Sequence, residues 1–284
     1  KVILLLFLAA IIHSIWNLLA KKSINKHIFI WLGLCISSVL FFLPFCYFYQ
    51  PFSIQGWRYI IASGLLEAVY YYFLGAAYRE GQVSQVYPLA RGSAPLWVTV
   101  FAICFLHEKI SILGLLGIFL ILAGINLIHF KPYLLMGIGE LRNSLKEKNA
   151  KYALLTGITI ACYSVVDKKG VTFVDPFIYI YLVFVVSAIT LIPLMLKRKN
   201  EIKEEIAKNK NAIFAVGIMN LTAYGLVLIA MTHSKVSYVS SVRELSVIIT
   251  PLLGTLVLKE PFTWDKTIGS LFIFLGIASI AFTK

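Results

Sequence analysis

Charge is what this chain has least of. Of its 284 residues only 14% are charged, where a soluble domain carries about a quarter. With 60% of the residues apolar, there is too little polar surface to clothe an ordinary water-soluble globule. Acidic residues are scarcer still than basic ones, which leaves a formal charge of +13. A basic excess of this kind marks some nucleic-acid binders. Here, however, the lysines avoid the apolar runs and gather in the connectors between them, the pattern of a membrane protein with basic loops. Nucleic acid is not an expected partner.

Chemistry-bearing motifs are missing too. The four cysteines, Cys35, Cys46, Cys104 and Cys162, lie inside apolar runs without ligand-like spacing, which supports neither a disulfide frame nor a zinc site. No Gly-rich phosphate loop, HExxH or G-x-S-x-G occurs, so no cofactor, metal or enzymatic activity is expected. The only acid–histidine neighbours in a connector, His107 and Glu108, have no ligand partners in sequence.

What is present is a series of apolar runs: 2–20, 28–49, 57–79, 83–106, 111–130, 152–170, 176–196, 212–233, 236–258 and 263–282. Each is close to the ~20 residues that carry a helix across the hydrocarbon layer. Lipid leaves no other choice, since open backbone groups go unsatisfied there and nothing in the chain alternates like a barrel strand. The expected fold is an all-α membrane protein with ten transmembrane helices. The first run resembles a signal peptide in length. His13, Trp16 and Asn17 interrupt it and no small-x-small site follows, so it is read as the first crossing.

The chain repeats itself. Gly64, Tyr71, Ala77 and Val83 recur as Gly217, Tyr224, Ala230 and Val236 at one constant offset. Glu108, Gly117 and Gly124 recur as Glu260, Gly269 and Gly276 at an offset shorter by one residue. This divides the chain into five spans (1–130), a linker (131–151) and five spans (152–284). An odd number per half inverts the second copy, and inverted repeats are a signature of transporters, with the site near mid-membrane at the repeat interface. In the linker, Ile138, Leu141 and Leu145 are spaced for a short interfacial helix, with an ordinary solvated linker as the alternative. Lys197 to Asn211 is polar and reads as a solvated loop. Most Lys and Arg fall after the odd-numbered spans, which by the positive-inside rule places both termini outside.

Two runs look like working helices. Val83 to Leu106 carries Tyr87, Pro88, Arg91 and Pro95; Val236 to Leu258 carries Arg243, Glu244 and Pro251. The prolines are expected to bend their helices and free carbonyls toward a cavity. Glu67, Arg91, Asp167, Arg243 and Glu244 facing lipid would together cost on the order of 12–18 kcal/mol. They must face the interior. Helical spacing agrees, because His13, Trp16 and Asn17 share a face, as do Glu67, Tyr70 and Tyr71. So do the pairs Tyr87 and Arg91, Tyr163 and Asp167, Asn220 and Tyr224, and Ser240 and Glu244. Spans 5 and 10 instead carry glycine at seven-residue spacing, as close helix packing requires.

Arg91 corresponds to Glu244 under the repeat and is expected to meet it as an ion pair. Glu67 reads as a proton- or cation-binding carboxylate, or else as a carboxyl held neutral by burial. Arg91 is suited to a carboxylate or phosphate, or to the role of counter-ion. Asp167 stands beside Lys168, as a membrane-edge ion pair or a site residue. His13 titrates near neutral pH unless simply hydrogen-bonded. Trp16 and the tyrosines can stack on a cation, whereas Trp31 and Trp57 suit an interfacial belt.

The ten spans, the two halves and the Gly-rich ends behind Glu108 and Glu260 resemble the EamA domain, present twice, of the drug/metabolite transporter superfamily. The fragments HSIWNLLAKK, GLLEAVYYYFLGAAYREGQVSQVYPLARGSAP and YSVVDKKGV are similar to one bacterial subgroup. The resemblance implies a multi-pass carrier of the bacterial inner membrane, generally an exporter of small metabolites, with a cavity built from spans 1, 3, 4, 6, 8 and 9. It also implies cytoplasmic termini, against the charge count. The expected function is secondary transport of a small polar metabolite, an amino acid or amine, by alternating access with protons as the candidate coupling ion. The alternative is a flippase or carrier for a charged lipid head group or sugar phosphate. The expected partners are that small molecule and the lipid bilayer.

Overall fold

The computed structural model describes residues 2–80, 83–136, 147–246, 249 and 264–282. Every element among them is helical: α1 (Val2–Lys22), α2 (Lys26–Leu40), α3 (Phe42–Phe48), α4 (Ile54–Glu80), α5 (Val83–Leu106), α6 (Ile112–Met136), α7 (Lys148–Gly170), α8 (Pro176–Leu196), α9 (Lys199–His233), α10 (Val236–Arg243) and α11 (Trp264–Ala281). The interfacial segment around Ile138, Leu141 and Leu145, together with Pro251 and Glu260, lies outside the described residues.

Three helices are long and apolar enough to cross a membrane, namely Ile54–Ala77, Pro176–Leu196 and Lys199–His233, and the bent pair α2/α3 makes a fourth. The other apolar stretches, Val2–Asn17, Ala90–Leu106, Ile112–Ile125 and Ile268–Ile280, are shorter. Ten full crossings are therefore not counted among the described residues. Span 9 continues past them, and α7 holds Lys148, Lys151, Asp167, Lys168 and Lys169 near its two ends. Large apolar side chains such as Leu43, Phe105, Ile112, Phe119, Phe214 and Phe274 lie exposed, as a lipid-facing surface demands.

One expectation changes, at Lys197 to Asn211, and two spans show detail that the sequence reading did not specify. The second span is not straight: α2 and α3 meet at 47°. Pro44 has no N–H for the Leu40 carbonyl and its ring crowds that group, so the helix breaks at Phe41. Conversely, α5 runs as one helix through Pro88 and Pro95. Lys197 to Asn211 is not a loop, because α9 begins at Lys199 and changes direction only at Asn209 (φ −127°, ψ 19°).

The described chain forms two compact units, residues 1–72 with 166–233 and residues 73–165 with 234–284. Each unit draws on both halves of the sequence. In the first, α9 packs against α1, α2 and α8. In the second, α6 packs against α5 and α11, and α10 against α5.

The repeat is visible as duplicated contacts. In the first unit IFIWL (28–32) aligns with IYIYL (178–182), which pairs Ser37 with Ser187. Ser37 Oγ donates to Gly33 O (3.0 Å) and across to Gly217 O (2.5 Å). Ser187 Oγ donates to Val183 O (2.9 Å) and across to Gly64 O (2.9 Å). A Cβ on Gly217 would stand 2.5 Å from Ile36 Cγ2, and one on Gly64 would stand 2.5 Å from Val186 Cγ1. In the second unit α6 and α11 run antiparallel. Gly117 lies on the Gly276 backbone and Gly124 on the Gly269 backbone, the reciprocal pairing that a two-fold relation between the copies produces.

Candidate functional site

The candidate residues fall into two groups, one per unit. In the second unit α5 supplies Arg91 and the end of α10 supplies Arg243 and Glu244. Arg91 and Arg243 are 5% and 4% exposed and Glu244 is fully buried. Arg91 Nη1 lies 3.4 Å from Glu244 Oε1, and Arg243 Nε lies 3.9 Å from the same oxygen. One carboxylate oxygen is thus shared by two guanidinium groups in a region with little water, where Coulomb attraction is strongest. Ser240, one turn earlier on α10, is buried, as is Tyr163 on α7. The backbone of Tyr87 lies in α5, and its side chain is outside the described residues.

Glu108 holds α10 in place. After α5 the chain turns through His107 in the left-handed region (φ 53°) and closes with Glu108 N–H to Ala102 O (3.1 Å). The Glu108 carboxylate then accepts Val236 N–H (2.7 Å), Ser237 N–H (3.3 Å) and Ser237 O–H (2.7 Å). A carboxylate on the first amides of a helix satisfies orphan donors and meets the positive end of the dipole. The working helix of the second copy is therefore capped by the acid that follows the working helix of the first. Sequence reasoning passed over Glu108. Its signal was present, because Val83-Ser84 and Glu108 recur as Val236-Ser237 and Glu260.

In the first unit Asp167, near the end of α7, is fully buried. Its Oδ1 accepts Tyr179 O–H of α8 (2.9 Å) and Ser63 O–H of α4. Its Oδ2 accepts Tyr224 O–H of α9 (2.5 Å). Tyr179 also reaches Tyr59 O at 3.3 Å. Lys168 Nζ donates to Met231 O. Asp167 is thus a hub tying α7 to α4, α8 and α9, and its salient neighbours are hydroxyls. Ser63 and Tyr179 were not among the sequence candidates. Tyr179 sits on span 7, which the face analysis left out, and its signal is a tyrosine where the first copy has Phe29.

The remaining candidates belong to the same unit. Glu67 is 4% exposed on α4, one turn after Ser63. Tyr70 and Tyr71 are buried with ring centroids 4.8 Å apart. Asn220 Nδ2 donates to Tyr71 O–H at 3.4 Å. On α1, Trp16 Nε1 donates to His13 Nδ1 (2.9 Å) and the two rings meet edge to face. Asn17 Nδ2 returns to its own helix at His13 O (2.7 Å).

An all-helical chain with an apolar exterior, buried charges and duplicated inverted contacts is a multi-pass membrane protein of transporter type. The profile described as the EamA-like transporter family matches residues 1–130 and 149–282, and the chain belongs to that family. One solved structure, described only as the crystal structure of a protein, is similar in fold. At 16% identity it covers 99% of this chain and 98% of its own, with a TM-score of 0.78. Among curated proteins no sequence match is found.

Proposed function

We propose that this protein is a secondary active transporter, working as an exporter, of a small polar metabolite of the amino acid or amine class, and that it operates by alternating access in a bacterial inner membrane. The observation that carries this reading is the Arg91–Glu244 pair, buried at equivalent positions of the two copies. A membrane chain keeps such charges where they meet a solute, since each is costly in hydrocarbon. A guanidinium group is suited to the acid group of such a solute.

The test is a thermal-shift screen of the purified protein against amino acids, polyamines, choline-like compounds and sugar phosphates, followed by counterflow of the hit in proteoliposomes. Stabilisation and counterflow by an amino acid or amine, weakened in Glu67→Gln and Arg91→Lys, supports the proposal. Equal binding by both variants and the wild type overturns the site. Binding of phosphorylated head groups alone replaces the reading with a flippase.

A further inference from the structure

The Asp167 hub has a counterpart in the same unit, and the counterpart lacks the carboxylate and two of the three hydroxyls. HSIWN (13–17) aligns with YSVVD (163–167), so Asn17 stands where the other copy has Asp167, and Ala20 corresponds to Gly170. Phe29 corresponds to Tyr179, and Val216 to Ser63. Trp16, Ala20, Phe29, Ile213 and Val216 form one buried apolar cluster. The polar version instead needs Gly170, because a Cβ there would lie 2.2 Å from the Tyr179 ring.

The same helix crossing is therefore built twice from one ancestral plan. One copy closes it with a phenylalanine and a valine. The other buries a carboxylate and adds the hydroxyls of Ser63 and Tyr179 to a tyrosine that both copies keep, Tyr71 in one and Tyr224 in the other. Burying a carboxylate costs several kcal/mol where an apolar crossing costs nothing, and the fold itself does not ask for it. We infer that Asp167 is the proton-binding carboxylate of this transporter, taking up and releasing the ion that couples transport; this rests on the transport reading above.

The geometry fits a site that takes one proton. As an anion, Asp167 accepts from Ser63 and Tyr179 at Oδ1 and from Tyr224 at Oδ2, and hydrogen bonds to the charged form stabilise it. When a proton binds Oδ2, the carboxyl becomes a donor, and the Tyr224 O–H must turn from donating to accepting. Ser63 and Tyr179 are fully buried while Tyr224 is half-buried, so Oδ2 is the side of the carboxylate with the less enclosed partner. Protonation thus alters the tie between α7 and α9 and leaves those to α4 and α8. Among the described residues, the charged groups beside the hub include Glu67, one turn from Ser63 on α4, and the adjacent Lys168, whose ammonium donates to Met231 O.

The test is an infrared pH titration of the full chain in lipid nanodiscs, with the proton as the only ligand, between about pH 4 and 9. A carboxyl stretch should appear on acidification, vanish in Asp167→Asn, persist in Glu67→Gln and change frequency in Tyr179→Phe. Each of Asp167→Asn, Tyr179→Phe and Ser63→Val imports the residue of the apolar copy, so the variants are expected to fold, as circular dichroism of the same samples will show. A titrating band that survives Asp167→Asn, or no titrating band in the wild type, overturns the assignment. Because no substrate takes part, that failure is separate from a failure of counterflow, which would strike the transport reading.

Discussion

Ser37 and Ser187 make the same pair of bonds in the two copies of the chain, each donating to its own helix and to a glycine carbonyl of a neighbour, Gly217 and Gly64. This duplicated contact makes a prediction with an internal control. Ser37→Ala and Ser187→Ala should each lower stability by about 1 kcal/mol, and by similar amounts, in thermal unfolding of the detergent-solubilised protein. Gly64→Ala and Gly217→Ala should cost more, about 1–3 kcal/mol, through overpacking. Val186→Gly, which removes both side-chain atoms in the way, should partly relieve Gly64→Ala and leave Gly217→Ala unrelieved. Relief of both would show that the two crossings are not separate contacts.

Arg91 and Glu244 give a second prediction. Removing one member of a buried ion pair leaves the other uncompensated and costs about 3–5 kcal/mol. Arg91→Ala and Glu244→Ala should therefore both lower the unfolding temperature sharply. The exchange Arg91→Glu with Glu244→Arg should recover part of the loss, measured by the same melt. A doubly exchanged protein no better than either single exchange would mean that the 3.4 Å approach contributes nothing.

Glu108 gives a third. Glu108→Ala strips the acceptor from three donors at the start of α10, at a cost of about 1–2 kcal/mol. Glu108→Gln keeps an acceptor and should cost less. Since α10 ends in Arg243 and Glu244, ligand affinity should fall in the same order, measured by the thermal shift of whichever compound binds the wild type. Unchanged affinity in Glu108→Ala would show that the cap does not position those side chains.

Much of the interior was legible in the sequence because charge in hydrocarbon is so costly. Glu67, Arg91, Asp167, Arg243 and Glu244 had to be inside on that ground alone, and all are buried. The partners were less legible. Asp167 stands next to Lys168 in sequence, and nothing there announces that the ammonium donates to Met231 O or that the carboxylate is met by hydroxyls of α4, α8 and α9. Helical spacing can say which residues share a face of one helix. It cannot say which hydroxyl of another helix arrives opposite, and that is why Ser63 and Tyr179 were missed. Aligning the two copies against each other, rather than reading each alone, would have marked Tyr179 through Phe29.

The polar segment before the Asn209 bend was misread for a related reason, since a stretch rich in Lys and Glu has no apolar stripe. Its Glu205 is nevertheless fully buried. It accepts Asn25 N–H (2.7 Å), Ile24 N–H (3.4 Å) and Asn209 Nδ2 (2.6 Å), while Glu201 takes Asn25 Nδ2 (2.6 Å). The corner joining α1 to α2 is therefore moored to the start of α9. Any rearrangement that swings α1 at this corner has to break the mooring first, so α1, α2 and α9 travel together there. An epitope or fluorophore spliced into this hydrophilic stretch, the place an engineer would choose on hydropathy alone, would cut the line.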